Sequence, residues 1–338
     1  MKSQDDLISF ARESLGLVQS DKAELIPFSG RGSDRSYFRF KWATGSVILV
    51  QYESTRIENS YFAGIAAFLY ENGIPVPKII RHDGTASRTL LEDLGDTDLW
   101  LLRNAPWNQR QSLYQKTLVA AHKLHSIRAS QFPSDRIKLM NPFDPELYRW
   151  ERNYFMDNFV AALCGIEIEA DRAKALETEL CGLAEKLSSG KRCLIHRDLQ
   201  SQNVMIYRKE PFFIDFQGMR FGSLFYDIGS LLCDPYVSVT EAERMELLSF
   251  YYGLSHAELA WGDFAEAFWQ ASAQRLMQAL GAYGFLSLKK GLRSYLEHVP
   301  NGLRNLRMAA ENARALPLLQ NLCNECLNRR GLRASRSL

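Results

Sequence analysis

Three absences narrow the field before any motif is considered. The chain carries almost no net charge: 41 Lys and Arg against 39 Asp and Glu leave +2 over 338 residues. No global field therefore draws it to nucleic acid or to an anionic membrane. It has no apolar run approaching the roughly 20 residues that a membrane span needs, and residues 1–6 are too polar for a signal peptide. Cysteine is scattered, not framed: six residues, mostly inside apolar stretches, fit reduced cytosolic thiols. Cys323 and Cys326 have zinc-ligand spacing, but no second pair completes a tetrahedral site, so the pair reads as a helix-surface coincidence. Internal repeats and long linkers are also missing. What is left is a cytoplasmic globular protein without nucleic-acid or membrane partners. Its 338 residues suit one large or two coupled domains, and its 46% hydrophobic and 24% charged fractions are ordinary for a globular protein.

Periodicity divides the chain near residue 95. Before that point a helix is expected over 5–18, with Leu7, Phe10, Ala11, Ser14 and Leu15 on one side. Strands are expected over 23–28, 37–42, 46–52, 78–82 and 88–92, with a helix over 56–72 that Gly73, Pro75 and Pro77 bring to an end. Beyond it the pattern is mainly helical, over 106–127, 146–163, 170–188, 240–253, 263–288 and 301–328. The expected fold class is α+β: a bilobal, protein-kinase-like fold with a small antiparallel-sheet lobe and a larger helical lobe. Residues 1–95 would form the nucleotide-binding lobe, and 96–338 the catalytic and acceptor-binding lobe.

Among the later helices, residues 192–216 carry the chemistry. His196, Arg197 and Asp198 are followed by Asn203, then by two short apolar strands over 204–206 and 212–214, then by Asp215. Antiparallel pairing around a turn at 207–211 sets 206 opposite 212 and 204 opposite 214, bringing Asn203 and Asp215 to the open end of the hairpin. Two hard oxygen donors of this kind suit Mg²⁺, which keeps several waters and phosphate oxygens. Asp198, five residues before Asn203, is placed to orient a substrate hydroxyl. The layout is that of a phosphoryl-transfer centre using ATP and Mg²⁺.

Gly30, Gly32 and Ser33 lie on a connector between two strands, where glycine lets backbone N–H groups approach phosphate oxygens. Arg31 and Arg35 either add charge against a triphosphate or are exposed loop arginines. Protein kinases place a lysine on the third strand to hold the α- and β-phosphates; here Gln51 stands where it would be sought. Arg39 on the neighbouring strand is one candidate substitute. Glu58 is either the usual partner of that lysine or, the favoured reading, part of a capping box over 55–58. The stretch 90–94, with Glu92 and Leu94, occupies the position of a hinge against an adenine edge.

With these residues in place, the chain resembles the aminoglycoside phosphotransferase superfamily, and within it the bacterial cell-wall amino-sugar kinases that phosphorylate N-acetylmuramate or N-acetylglucosamine at the anomeric hydroxyl. The residues that carry the likeness are 30–39, 91–96, 143–144 with 149–151, 196–203, 214–217, 226–234 and 274–281. The resemblance implies Asp198 as catalytic base and Asn203 and Asp215 as Mg²⁺ ligands. It also implies that Asp227 braces the catalytic loop, with His196 and Arg197 in support. One departure stands out: Gln217 replaces a second aspartate two residues after the metal aspartate. The missing strand lysine is shared with the sugar-kinase subgroup.

For the acceptor, Glu151 either takes hydrogen bonds from sugar hydroxyls or pairs with Arg149 or Arg152. Arg275 either meets a sugar carboxylate or pairs with Glu266. The mixed charges favour a neutral or weakly anionic sugar over a polycationic aminoglycoside. His122 and His125, three residues apart on one helix, read as satisfied interior histidines without a third metal ligand. The expected activity is ATP-dependent transfer to a sugar or amino-sugar hydroxyl. The rivals are an aminoglycoside- or choline-type kinase and, because of Gln51 and Gln217, a nucleotide-binding regulatory protein without turnover. Oligomeric state is left open.

Overall fold

The computed structural model describes residues 4–28, 35–53, 55–255 and 258–329. In chain order these form α1 (Gln4–Leu15), β1 (Ala23–Phe28), β2 (Ser36–Trp42), β3 (Gly45–Gln51), α2 (Ile57–Glu71), β4 (Ile79–Asp83) and β5 (Arg88–Glu92). There follow α3 (Trp107–His125), α4 (Pro145–Phe155), α5 (Ala170–Ser189), β6 (Cys193–Ile195), β7 (Val204–Tyr207), β8 (Glu210–Phe213) and β9 (Arg220–Gly222). The last described helices are α6 (Leu224–Leu232), α7 (Glu241–Ser255), α8 (Trp261–Lys289), α9 (Val299–Asn312) and α10 (Pro317–Asn328). The class is α+β, a small antiparallel sheet and a larger helical region.

Two compact units share the chain. The first takes in the residues up to Thr97 together with Pro133–Met140 and Val204–Gly218. Its sheet has the order β1-β2-β3-β5-β4, antiparallel throughout. Leu7, Phe10 and Ala11 recur at helical spacing on α1 and are buried against Leu25, Phe40, Val47, Leu49 and Leu90 of the sheet. The expected capping box at the start of α2 does not form: Arg56 is the N-cap, with no side-chain cap bond.

The β7–β8 hairpin is one residue out of the expected register: Val204 faces Phe213 and Ile206 faces Pro211. Arg208 and Lys209, with φ of 53° and 64°, make a two-residue turn of the kind that matches strand twist. Pro211 suggested a turn but sits within β8, and the hydrogen bonding explains why. The Ile206 N–H leaves the hairpin for the carbonyl of Thr97 at 2.8 Å. The 206–211 pair is therefore of the non-hydrogen-bonded type, where proline's missing donor is not needed.

The second unit comprises Asp98–Phe132, Asn141–Asn203 and the residues from Met219 onward. Its centre is α8, buried on nearly every side against α4, α6 and α9. The expected helix over 146–163 ends as an α-helix at Phe155 and widens into a π-type turn over Met156–Ala161. This is where α8 comes closest: a Cβ on Gly284 would lie 2.2 Å from the carbonyl oxygen of Asn158. The single helix expected over 301–328 is two helices, because Pro317 supplies no N–H and restricts Leu316 before it.

The close crossing at Gly284 gives a direct test. Gly284→Ala should lower stability by about 1–3 kcal/mol through overpacking. Gly182→Ala, on α5 with open space around it, should be neutral or mildly stabilising because alanine is the better helix former. Denaturant melts of both variants beside wild type check this; equal midpoints for Gly284→Ala and wild type would refute the crossing.

Candidate active site

Strand β6 pairs with β9, Ile195 opposite Arg220, and delivers the chain into the loop that carries Asp198. Two buried carboxylates at the ends of α6 fix that loop. Asp227, in the first turn, accepts the main-chain N–H groups of His196 at 2.6 Å and Arg197 at 2.7 Å. It also meets Nε2 of His125 at 3.1 Å, whose Nδ1 lies 2.7 Å from the Tyr251 hydroxyl. Asp234, just past the helix, accepts the N–H of Ser201 at 2.8 Å and its hydroxyl at 2.5 Å. Arg197 is held at a φ of 79°, a left-handed conformation costing on the order of 1–3 kcal/mol. His125 is thus a satisfied interior histidine that braces the loop. Among the described residues, no group of three or more His, Cys, Asp or Glu side chains could hold a metal.

Between the two braced points, the Asp198 carboxylate meets Arg197 Nη1 at 3.2 Å and Arg275 Nη2 at 3.1 Å. Burial alone would raise its pKa, but Arg197, Arg275, His196 and Arg220 together hold it below the usual carboxylate range. Arg275 reaches it from α8 while donating Nε to Ser230 at 3.1 Å and Nη1 to Gln278. It does not pair with Glu266, which accepts from Gln270. Asn203 donates Nδ2 to the Asp198 carbonyl at 2.8 Å, which leaves its own carbonyl oxygen to offer a cation.

Glu151 of α4 belongs to the same cluster. It is fully buried and accepts the Tyr226 hydroxyl at 2.9 Å and Gln274 Nε2 at 3.0 Å. It does not pair with Arg152 or Arg149, both of which lie against Glu177, at 2.8 Å and 4.0 Å. Burial pushes its carboxyl up, and Arg197, Gln274, Tyr226 and Arg275 oppose the rise only in part.

The remaining expected site residues lie in the first unit. Asp215 follows β8 by two residues with a φ of 63°, and its carboxylate is half-exposed. It pairs with Arg35 and accepts Gln217 Nε2 at 3.0 Å. Arg39 is committed elsewhere, donating Nε to Asp93 at 2.7 Å and Nη2 to Asp96 at 2.7 Å. Glu92 closes β5 with its N–H on the Lys78 carbonyl at 2.9 Å, and Leu94 is buried. Gly30, Gly32 and Ser33 lie outside the described residues. The role of Asp234 escaped the sequence reading, although an acid at each end of an apolar helix was there to be seen.

A model of the Phosphotransferase enzyme family matches residues 24–280. An N-acetylmuramate/N-acetylglucosamine kinase of Pseudomonas aeruginosa is 27% identical, over 89% of this chain and 87% of that protein. A protein of the same name from Neisseria meningitidis serogroup B is 24% identical, over 83% and 84%. Among solved structures, the ADP-bound aminoglycoside phosphotransferase APH(2'')-Ib superposes with a TM-score of 0.59 at 14% identity, covering 90% of this chain and 98% of the other. That likeness shows the protein-kinase-like fold.

Glu151 supplies a test by linkage. With its folded pKa raised, the native state binds the proton more tightly than the unfolded chain. Its charge therefore lowers stability increasingly as pH rises above the ordinary glutamate pKa of about 4.3. Glu151→Gln removes this titration. The melting-temperature difference, variant minus wild type, should grow more positive as pH rises above that ordinary value and level off once the folded carboxyl has ionised. A difference that is flat or falling with pH would refute the raised pKa.

Proposed function

From a chain that belongs to the Phosphotransferase enzyme family, we propose transfer of the γ-phosphoryl group of ATP to a hydroxyl of a sugar or amino sugar. The anomeric hydroxyl of N-acetylmuramate or N-acetylglucosamine is the first candidate, on the strength of the relatives' names. The observation that carries the reading is the Asp198 carboxylate, held ionised by Arg197 and Arg275 on a loop braced by Asp227 and Asp234.

Asp198 is a weak base in such surroundings. It accepts a hydrogen bond from the acceptor hydroxyl, aims its oxygen, and takes the proton late, once the bond to phosphorus is forming. A loose phosphoryl-transfer transition state needs positioning more than a strong base. The donor set fits Mg²⁺: the free carbonyl oxygen of Asn203 and the half-exposed carboxylate of Asp215 are hard oxygens, few enough for the ion to keep its waters. Mg²⁺ held by them would neutralise phosphate oxygens during transfer. Glu92 and Leu94 would serve the adenine.

The charges around Asp198 favour the choice of acceptor. Arg197, Arg220 and Arg275 all act on that carboxylate, a field that repels a polycationic aminoglycoside and tolerates a sugar acid. Glu151 sits beneath this cluster as a buried acceptor of Tyr226 and Gln274 and serves the substrate through them. ATP supply puts the enzyme in the cytoplasm.

ADP release, screened against amino sugars, free hexoses, aminoglycosides and choline, with product NMR to locate the phosphate, identifies the acceptor. Asp198→Asn should lower turnover by about 10²–10⁴-fold while ATP binds as in wild type. Full transfer by Asp198→Asn would sink the assignment.

A further inference from the structure

The sheet lacks a phosphate-binding lysine, and the structure offers another cation close by. Gln51, at the end of β3, has a buried Oε1 with no hydrogen-bond partner among the described residues. Its cross-strand partner is Ser36, and the residue immediately before Ser36 is Arg35. The Arg35 side chain is 13% exposed. Its guanidinium donates Nη1 to Gln217 Oε1 at 3.0 Å and Nη2 to the Asp215 carboxylate. Gln217 closes the triangle by donating Nε2 to Asp215 at 3.0 Å.

Helix α2 adds the carboxylate that normally accompanies such a cation. Phe62 stacks on Phe216 with ring centroids 4.8 Å apart. Glu58, one helical turn earlier on the same face, is near enough to act on the Arg35 charge. A cation that touches the metal aspartate and feels a helix glutamate has the surroundings of the protein-kinase strand lysine. Arg39, the other candidate, is held by Asp93 and Asp96.

We propose that Arg35 is the cation that grips the nucleotide phosphates in this chain, and that it rests on Asp215 until a divalent ion takes that carboxylate. The inference rests on the kinase reading above. A guanidinium fork suits phosphate oxygens as well as it suits a carboxylate, so the move exchanges one charge-assisted pair for another. Gln217 makes the resting state possible: its amide serves the guanidinium with one atom and the carboxylate with the other.

The test measures binding without turnover. Fluorescent ATP-analogue titration with Mg²⁺ present gives nucleotide affinity, and Mn²⁺ paramagnetic resonance without nucleotide gives metal affinity. Arg35→Ala should weaken nucleotide binding about 10-fold or more, the scale of one charged hydrogen bond, and tighten Mn²⁺ binding severalfold. Arg35→Lys should restore most of the nucleotide affinity, which separates lost charge from a damaged fold. Gln217→Ala should tighten Mn²⁺ binding and leave nucleotide affinity near wild type. Nucleotide affinity of Arg35→Ala within twofold of wild type, or unchanged Mn²⁺ affinity in both alanine variants, overturns the proposal and leaves the kinase reading standing. A wild-type chain that binds no ATP with Mg²⁺ overturns both.

Discussion

Asp227 is the constraint on which the candidate active site depends. Its carboxylate, with no exposed surface, collects the N–H groups of His196 and Arg197 and the ring of His125. Each of those donors is buried or partly buried, and leaving one unmatched costs about 1–3 kcal/mol. The left-handed Arg197 backbone persists because the carboxylate holds both neighbouring N–H groups at once. Asp234 does the same for Ser201, so α6 grips the loop at two places. Asp198 lies between them, and its position follows from the rigid helix more than from its own contacts. The short approach of α6 to α8 ties that helix to the unit's core: a Cβ on Gly229 would stand 2.9 Å from Ser272 Cα.

The charges of the cluster separate two carboxyl groups by environment alone. Asp198 and Glu151 both feel Arg197 and Arg275. Asp198 touches the two guanidiniums directly, so its ionised form wins over burial. Glu151 is met by a phenol and an amide, which stabilise a carboxylate less than a cation does, so burial wins. Opposite shifts within one cluster leave one carboxyl charged and the other favouring its proton. Three guanidiniums, of Arg197, Arg220 and Arg275, act on the charged one.

What was legible in the sequence was mostly local. Alternating or helical burial over short windows marked the five strands of the sheet and most helices, and the spacing of Asp198, Asn203 and Asp215 lies within one hairpin's length. The errors were local too, and proline lay behind the hairpin register and the split of the last helix. Pro211 read as a turn because its N–H is missing, yet a non-hydrogen-bonded pair has no use for one. Pro317 was passed over inside an apolar pattern that continued on either side. Long-range partners left no trace: Arg35 and Asp215 are 180 residues apart, and Glu151 and Gln274 123. A charged residue looks alike in sequence whether solvent or a buried partner meets it, so Glu151 and Arg275 each kept two readings until the fold supplied the neighbours.

Gln217 and Gln51 both stand close to Arg35, the first by a hydrogen bond and the second as the cross-strand partner of the next residue, Ser36. An aspartate at 217 would put a second negative charge beside Asp215. A glutamine there cannot bind metal with charge, but it can donate to Asp215 and accept from Arg35 simultaneously. Such a bridge favours a state in which one carboxylate is neutralised by one guanidinium. That guanidinium comes from the residue next to the partner of Gln51. Gln217 thereby ties the Arg35 guanidinium to the Asp215 carboxylate through both ends of its amide.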